Sequence, residues 1–125
     1  MLAFVVDGGQ SDPRVTLLDQ LLEKLGYVIS RKATIAALSN DPALKAHNDS
    51  LVLIPATETS KVNVEQVIGL ANLLKGRAFL IYVTDEIGTG DYKSLLRTGV
   101  ADCVSWDSAK GEIYEIFQRQ HLGGA

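Results

Sequence analysis

Cysteine is nearly absent from this sequence: 125 residues hold one Cys, with one Met, one Trp and two His. A lone cysteine excludes an internal disulfide framework, and no CxxC or paired Cys/His spacing offers a structural zinc site. Long apolar runs are missing too, since none approaches the ~20 residues of a membrane-spanning helix. The stretch Met1 to Asp7 has no basic segment, and its apolar run is too short for a signal peptide. The expectation is a soluble, cytoplasmic chain with no membrane insertion. Charge of one sign is not concentrated either. Twelve Lys and Arg against fifteen Asp and Glu give a net charge of −3. Without a basic stripe, nucleic acid is not expected as a partner. Internal repeats and low-complexity segments are also lacking.

What is present suffices for one folded unit. Hydrophobic residues make up 46% of the chain. A domain of this size buries roughly two-thirds of its unfolded surface and needs no covalent staples. Residues 1–122 are expected to form one domain, with Gly123-Gly124-Ala125 a fraying tail or the start of a linker.

Short continuous apolar runs alternate with longer periodic segments. Leu2-Ala3-Phe4-Val5-Val6, stopped by Asp7-Gly8-Gly9, reads as a strand buried on both faces. Ser11-Asp12-Pro13 starts a helix with a capping side chain and a proline whose missing N–H costs nothing there. Val15, Leu18, Leu21, Leu22 and Leu25 follow at helical spacing, and Gly26 closes the helix. Tyr27-Val28-Ile29 begins a weaker second strand. Residues 34–48 read as helix, broken at Asn40-Asp41-Pro42 by a fresh cap and proline.

Leu51-Val52-Leu53-Ile54, stopped by Pro55, is the third strand. Asn63 with Gln66 resembles a capping box opening a helix through Val67, Leu70, Ala71 and Leu74, ended by Gly76. Ala78 to Val83 is the longest apolar strand. A Gly88-Thr89-Gly90-Asp91 turn leads to a short helix through Leu95 and Leu96, ended by Gly99. Cys103-Val104-Ser105-Trp106 reads as the fifth strand. Asp107 or Ser108 caps a last helix carrying Ile113, Ile116 and Phe117.

Five strands bridged by helices must run parallel and be covered on both faces. The expected fold is a three-layer α/β/α sandwich around a five-stranded parallel sheet. Right-handed crossovers leave few orders, of which the flavodoxin-like 2-1-3-4-5 leads. Ligands of such sheets bind at the carboxyl ends of the strands. That mouth gathers Asp7-Gly8-Gly9, Pro55-Ala56-Thr57-Glu58, Thr84-Asp85-Glu86 and Trp106-Asp107.

This layout resembles the receiver domain of bacterial response regulators, the CheY-like members of two-component signal transduction, over nearly the whole chain. Receivers carry an acidic pair after the first strand, a phosphoacceptor Asp ending the third, a Ser/Thr ending the fourth and a Lys ending the fifth. Asp7 falls at one acid position and Thr84 at the Ser/Thr position. Arg97-Thr98-Gly99-Val100-Ala101-Asp102-Cys103-Val104 is similar to the receiver stretch before that Lys. The departures are in the chemistry. Gly8 replaces the second acid, Pro55 stands at the phosphoacceptor position, and Trp106 falls where the Lys is expected. Cys103 takes the place of the switch aromatic.

Aspartyl phosphorylation needs a carboxylate nucleophile, a caged divalent cation and a cation for the product. Pro55 has no nucleophile, and Asp7 alone is a poor cage for a hard cation. The resemblance therefore implies an atypical, or pseudo-, receiver. Asp91 to Trp106 is similar, more narrowly, to the receiver of CpaE/TadZ-type pilus-assembly proteins. There the receiver precedes a ParA/MinD-like ATPase and serves positioning and protein contacts. No GxxxxGK(S/T) occurs in this chain, so such an ATPase would be a downstream domain.

Other candidates have plainer readings. Gly8-Gly9 suits a tight β-to-α turn, because the spaced third glycine of a dinucleotide site is missing. Gly88-Thr89-Gly90 reads as a loop. Asp7, Glu58, Asp85, Glu86 and Asp107 read as loop and helix-start acids before a metal site. Cys103 reads as a small core residue. His47 and His121 have no sequence partner for catalysis.

Tyr92, Leu95, Leu96, Tyr114 and Phe117 crowd the helices that flank the fifth strand with more apolar side chains than one buried face holds. They are the expected contact patch for a homodimer or protein partner. The function expected is a non-enzymatic, phosphorylation-independent receiver acting through protein contacts, without cofactor or metal. The alternative is a flavodoxin-like domain that binds a nucleotide or small anion through Gly8, Gly9 and Thr84.

Overall fold

Polar residues break the apolar runs where the strands end, and the architecture follows from those breaks. The computed structural model describes residues 2–9, 12–46, 50–56, 64–74, 77–98 and 101–122. The strands are β1 (Leu2–Val6), β2 (Val28–Lys32), β3 (Ser50–Pro55), β4 (Ala78–Val83) and β5 (Ala101–Val104). The helices are α1 (Pro13–Lys24), α2 (Ile35–Ser39), α3 (Pro42–Ala46), α4 (Val64–Leu73), α5 (Thr89–Leu96) and α6 (Ala109–Leu122). A single 3₁₀ turn, Trp106–Ser108, runs into α6. All pairings are parallel, in the order β2-β1-β3-β4-β5. The sheet is that of a three-layer α/β/α sandwich with flavodoxin-like topology, as the alternation of runs predicts.

Successive side chains of a strand point to opposite faces, and here each face has its own core. Phe4, Val52, Ile54, Leu80 and Tyr82 pack with Leu38, Leu44, Val67, Leu70 and Leu95 of α2 to α5. Val5, Leu51, Leu53, Ile81 and Val83 pack with Leu18, Leu22, Ile113 and Ile116 of α1 and α6. All six residues of β3 are buried, which is why its sequence shows no alternation.

Local signals set the ends of the elements. Asp12 caps α1 by accepting from the Arg14 N–H at 2.8 Å, with Pro13 next. Burial pushes the Asp12 pKa up, but the Arg14 hydrogen bonds and charge outweigh it and the net shift is down. At the other end Tyr27 N–H donates to the Leu22 carbonyl and Gly26 N–H to the Glu23 carbonyl. This pair of bonds requires a left-handed residue at Gly26, whose φ is +95°. The break at Pro42 is present, with Thr34 capping α2 and Asp41 accepting from Ala43 N–H at the start of α3.

Three boundaries differ from the sequence reading. β2 runs on to Lys32, because an edge strand with exposed positions lacks the apolar run that marks β1. β5 begins at Ala101 and stops at Val104, two residues earlier than expected. Its last carbonyl accepts from Thr84 N–H, after which the chain turns into the 3₁₀ segment. That segment carries the chain into α6, with Asp107 and Ser108 inside the 3₁₀ turn and Ser105 at the turn's own cap position. The expected signals at Asn63, Gly76, Gly99 and the 123–125 tail lie outside the described residues. Among the described residues no helix is long and apolar enough to cross a membrane.

Candidate functional site

Each parallel strand delivers its carboxyl end to the same edge of the sheet, so Asp7, Pro55, Thr84 and Trp106 meet there. Asp7 follows β1 directly. Its N–H donates to the Lys32 carbonyl at 3.0 Å and its Oδ1 accepts from Gly9 N–H at 2.8 Å. Gly8 and Gly9 turn the chain with φ of +73° and +75°, a region that side chains disfavour. The glycines thus make the tight turn read from the sequence.

Pro55 closes β3 and is buried. A central strand normally excludes proline because of its missing donor. Here Ala56 N–H reaches the Val83 carbonyl on the β4 side. Alternation along the strand puts the missing Pro55 donor on the β1 side, where the β1–β3 ladder has already ended at Val5 and Leu53. Proline is tolerated at this point, and it brings no carboxylate to the mouth.

Thr84 is buried, and its hydroxyl is turned back into its own loop. Oγ1 donates to the Glu86 carbonyl and accepts from Glu86 N–H, both at 3.1 Å. The anion reading needs that hydroxyl as a donor, and its single proton is committed. Trp106 lies under the Arg14 guanidinium, 4.3 Å from its ring centroid. The Trp106 backbone N–H donates to Asp85 Oδ1 at 3.1 Å, which gives that loop acid a structural task. Gly88 stands at the start of α5 and the helix begins at Thr89, so Gly88-Thr89-Gly90 enters the helix directly. Among the described residues no group of three or more His, Cys, Asp or Glu is placed to hold a metal. Glu58 and His47 lie outside the described residues.

The contact patch divides. Tyr92, Leu96 and Tyr114 are exposed by 39%, 39% and 41%. Leu95 is completely buried against the core of the α2-to-α5 face, so it cannot belong to an exposed patch. Phe117 is half-buried on the stripe that continues Ile113 and Ile116, with its ring edge-to-face with Tyr27 at 6.2 Å. Helical spacing alone does not separate Leu95 from Leu96; the direction of α5 over β5 does. Cys103 is half-buried on the α5 side, and burial pushes its thiol up from the ordinary range.

Two features were missed in the sequence. The first is a cleft of about 470 Å³ beside β1, lined by α1 and the end of β2. Asp19 sits in it, on the same stripe as Val15, Leu18 and Leu22, and is buried. A carboxylate in an apolar stripe was the available signal. Arg31 reaches it from β2, with Nε at 3.1 Å and Nη2 at 2.9 Å from Oδ2. Burial raises the Asp19 pKa and Arg31 pulls it back only in part. The second is a carboxyl pair at the opposite edge of the sheet. Glu112 is pushed up to about 7 by its hydrogen bond with Asp102, then by burial and the Asp102 charge. Asp102 was read only as part of a receiver phrase.

In comparisons with known proteins, no family model and no curated protein matches this chain. Its five-stranded parallel α/β/α sandwich is consistent with the flavodoxin/CheY-like fold superfamily at the level of architecture.

Proposed function

We propose that this chain is a receiver-like domain without aspartyl-phosphate chemistry, acting in signalling or protein localisation through protein contacts. The observation that carries the reading is Pro55, buried at the end of β3 where a receiver holds its phosphoacceptor. The surroundings support it. Thr84 is bonded within its loop, and Trp106 occupies the cation position under Arg14. A carboxylate nucleophile and a free cation are what phosphoryl transfer demands of a mouth. The contact surface is the face flanking β5, with Tyr92, Leu96 and Tyr114 as its exposed apolar groups. The stretch Asp91 to Trp106 makes the CpaE/TadZ-type pilus-assembly proteins the favoured lineage, with a downstream ATPase as the domain such a receiver would serve.

Beryllofluoride with Mg²⁺, a mimic of aspartyl phosphate, tests the first half. Amide NMR spectra should show no saturable shift at the mouth; saturation at Asp7 and Thr84 would overturn the proposal. Sedimentation of the L96D variant tests the second half. Self-association should be lost while monomer stability stays within about 0.5 kcal/mol, as at other surface positions. Association unchanged in L96D would remove this face from the reading.

A further inference from the structure

α1 and α6 lie side by side on one face of the sheet, and contacts tie them at two places. Near their starts the Arg14 guanidinium stacks on Trp106, which precedes α6. Farther along, Tyr27, just past α1, meets Phe117 edge-to-face. Between these contacts each helix carries a stripe at steps of three and four: Arg14, Leu17, Leu21 and Lys24 on α1, and Lys110, Tyr114 and Phe117 on α6. Leu21 and Phe117 are half-buried against the core below and floor the seam. Leu17, 52% exposed, and Tyr114 stand as its shoulders. From Arg14 to Lys24 the seam runs about 15 Å at the helical rise.

The charges around this seam are sorted. Lys24 and Lys110 are exposed, and among the described residues neither forms an ion pair. Arg14 adds a third cation, held only loosely by Asp12 at 3.5 Å. The other carboxylates of the two helices stand on different sides. Asp19 and Glu23 act on Arg31 of β2, and Glu112 and Glu115 lie with Asp102 of β5. In a chain of net charge −3, an apolar seam edged by three cations favours a partner of opposite sign.

We propose that the α1–α6 seam docks an amphipathic helix of a protein partner, its apolar stripe laid between Leu17 and Tyr114 and its flanks acidic. The seam is walled by helices, so an extended segment would find no strand there to pair with. A helix bonds its own backbone and needs only an apolar face. A second copy of this chain fits worse. A two-fold contact sets a patch against itself, which would bring these cations together. The seam is a different surface from the face flanking β5, although Tyr114 borders both, and it does not depend on that reading.

A displayed library of helical peptides tests it, with a fixed Leu stripe at steps of three and four and Glu or Lys at random on both flanks. Peptides are selected on the full chain. The expected result is enrichment of Glu at the flanks, with saturable amide NMR shifts at Leu17, Leu21 and Phe117. Leu17→Asp should weaken the best peptide about tenfold or more, the loss of one apolar anchor. Leu17 is exposed, so the amide spectrum of the free variant should otherwise be unchanged. The K24E/K110E variant keeps every apolar residue of the seam and should turn the preference to Lys flanks. No selected peptide, no Glu bias, shifts confined to α5 and β5, unchanged affinity in Leu17→Asp, or a dimer in sedimentation that Leu17→Asp abolishes would each overturn the proposal.

Discussion

The carboxyl end of β1 has two flanks, and they treat polar groups in opposite ways. On the β3 flank, Thr84 bonds within its own loop, Pro55 offers neither donor nor acid, and Trp106 is covered by Arg14. On the β2 flank, among the described residues, Asp19 Oδ1 has no hydrogen-bond partner and Asp7 has no ion-pair partner. Both flanks are made by the same strand and the same helix start. Asp7 also bonds within its own loop, through Gly9 N–H at 2.8 Å; what differs is that the β2 flank keeps a buried acceptor, Asp19 Oδ1, without a partner among the described residues. Residue type says which chemistry a position can carry; its hydrogen bonds decide whether that chemistry is free to act.

The largest test of this difference is to put a carboxylate on the closed flank. Pro55→Asp places an acid in a buried position without a built partner. The expected cost is about 3 kcal/mol, the range for an uncompensated buried polar or charged group. Urea unfolding reads it as a lowered midpoint with unchanged slope. The variant should still give no beryllofluoride response. A response regained by this single change would mean that the β3 flank is still arranged for phosphoryl transfer, and the contrast between the flanks would collapse.

Next in size is the removal of a cation from the open flank. Arg31→Ala takes from the buried Asp19 carboxylate its ion pair with Arg31 and should cost about 2 kcal/mol near neutral pH. The sign of its pH dependence follows from the raised Asp19 pKa. Above the ordinary value of 3.8 and below the raised one, the folded chain keeps a proton that the unfolded chain has released. Stability therefore falls as pH rises through that window. Losing Arg31 raises the upper edge further, so the deficit of the variant should shrink on acidification. Glu112 acts with the same sign between 4.5 and about 7 and would overlap it. The comparison is cleanest in a Glu112→Gln background, where the amide still donates to Asp102 but does not titrate. A deficit constant with pH would mean that Arg31 acts through packing and not through the Asp19 charge.

The contrast also shows what was legible beforehand. The order of the sheet was readable because β1, β3 and β4 are buried on both faces and leave uninterrupted apolar runs. The caps at Asp12 and Asp41 and the closing Gly26 were readable because their chemistry is local. The edge strands were blurred, since β2 carries Ser30, Arg31 and Lys32 in place of an apolar run. The places of Asp7, Pro55 and Thr84 at the ends of β1, β3 and β4, and of Trp106 in the turn after β5, follow from the strand ends alone. The state of their polar groups was not readable, because Thr84 with Glu86 and Arg14 with Trp106 depend on loop paths. The Asp19–Arg31 pair spans twelve residues and two elements, so no local motif announces it.

The smallest effect tests the hinge between the flanks. Arg14 belongs to the first turn of α1, bonds Asp12 beside the open cleft, and covers Trp106 on the closed side. Its side chain is 49% exposed, so its contacts are weakened by solvent. Arg14→Ala should cost about 1 kcal/mol or less, the range of an exposed cation–π contact with a weak ion pair. The optical signal is larger than the energy. Trp106 is the single tryptophan, so its emission reports on this contact alone. Removing Arg14 should shift the emission to longer wavelength as water replaces the guanidinium. Arg14→Lys keeps the charge and loses the planar stack, and should fall between the two. If the emission does not move, Arg14 does not cover Trp106 in solution, and the closed flank is more open than its hydrogen bonds imply. Beryllofluoride binding by Arg14→Ala would carry that further, because it would mean the guanidinium was the barrier to anion binding on the β3 flank.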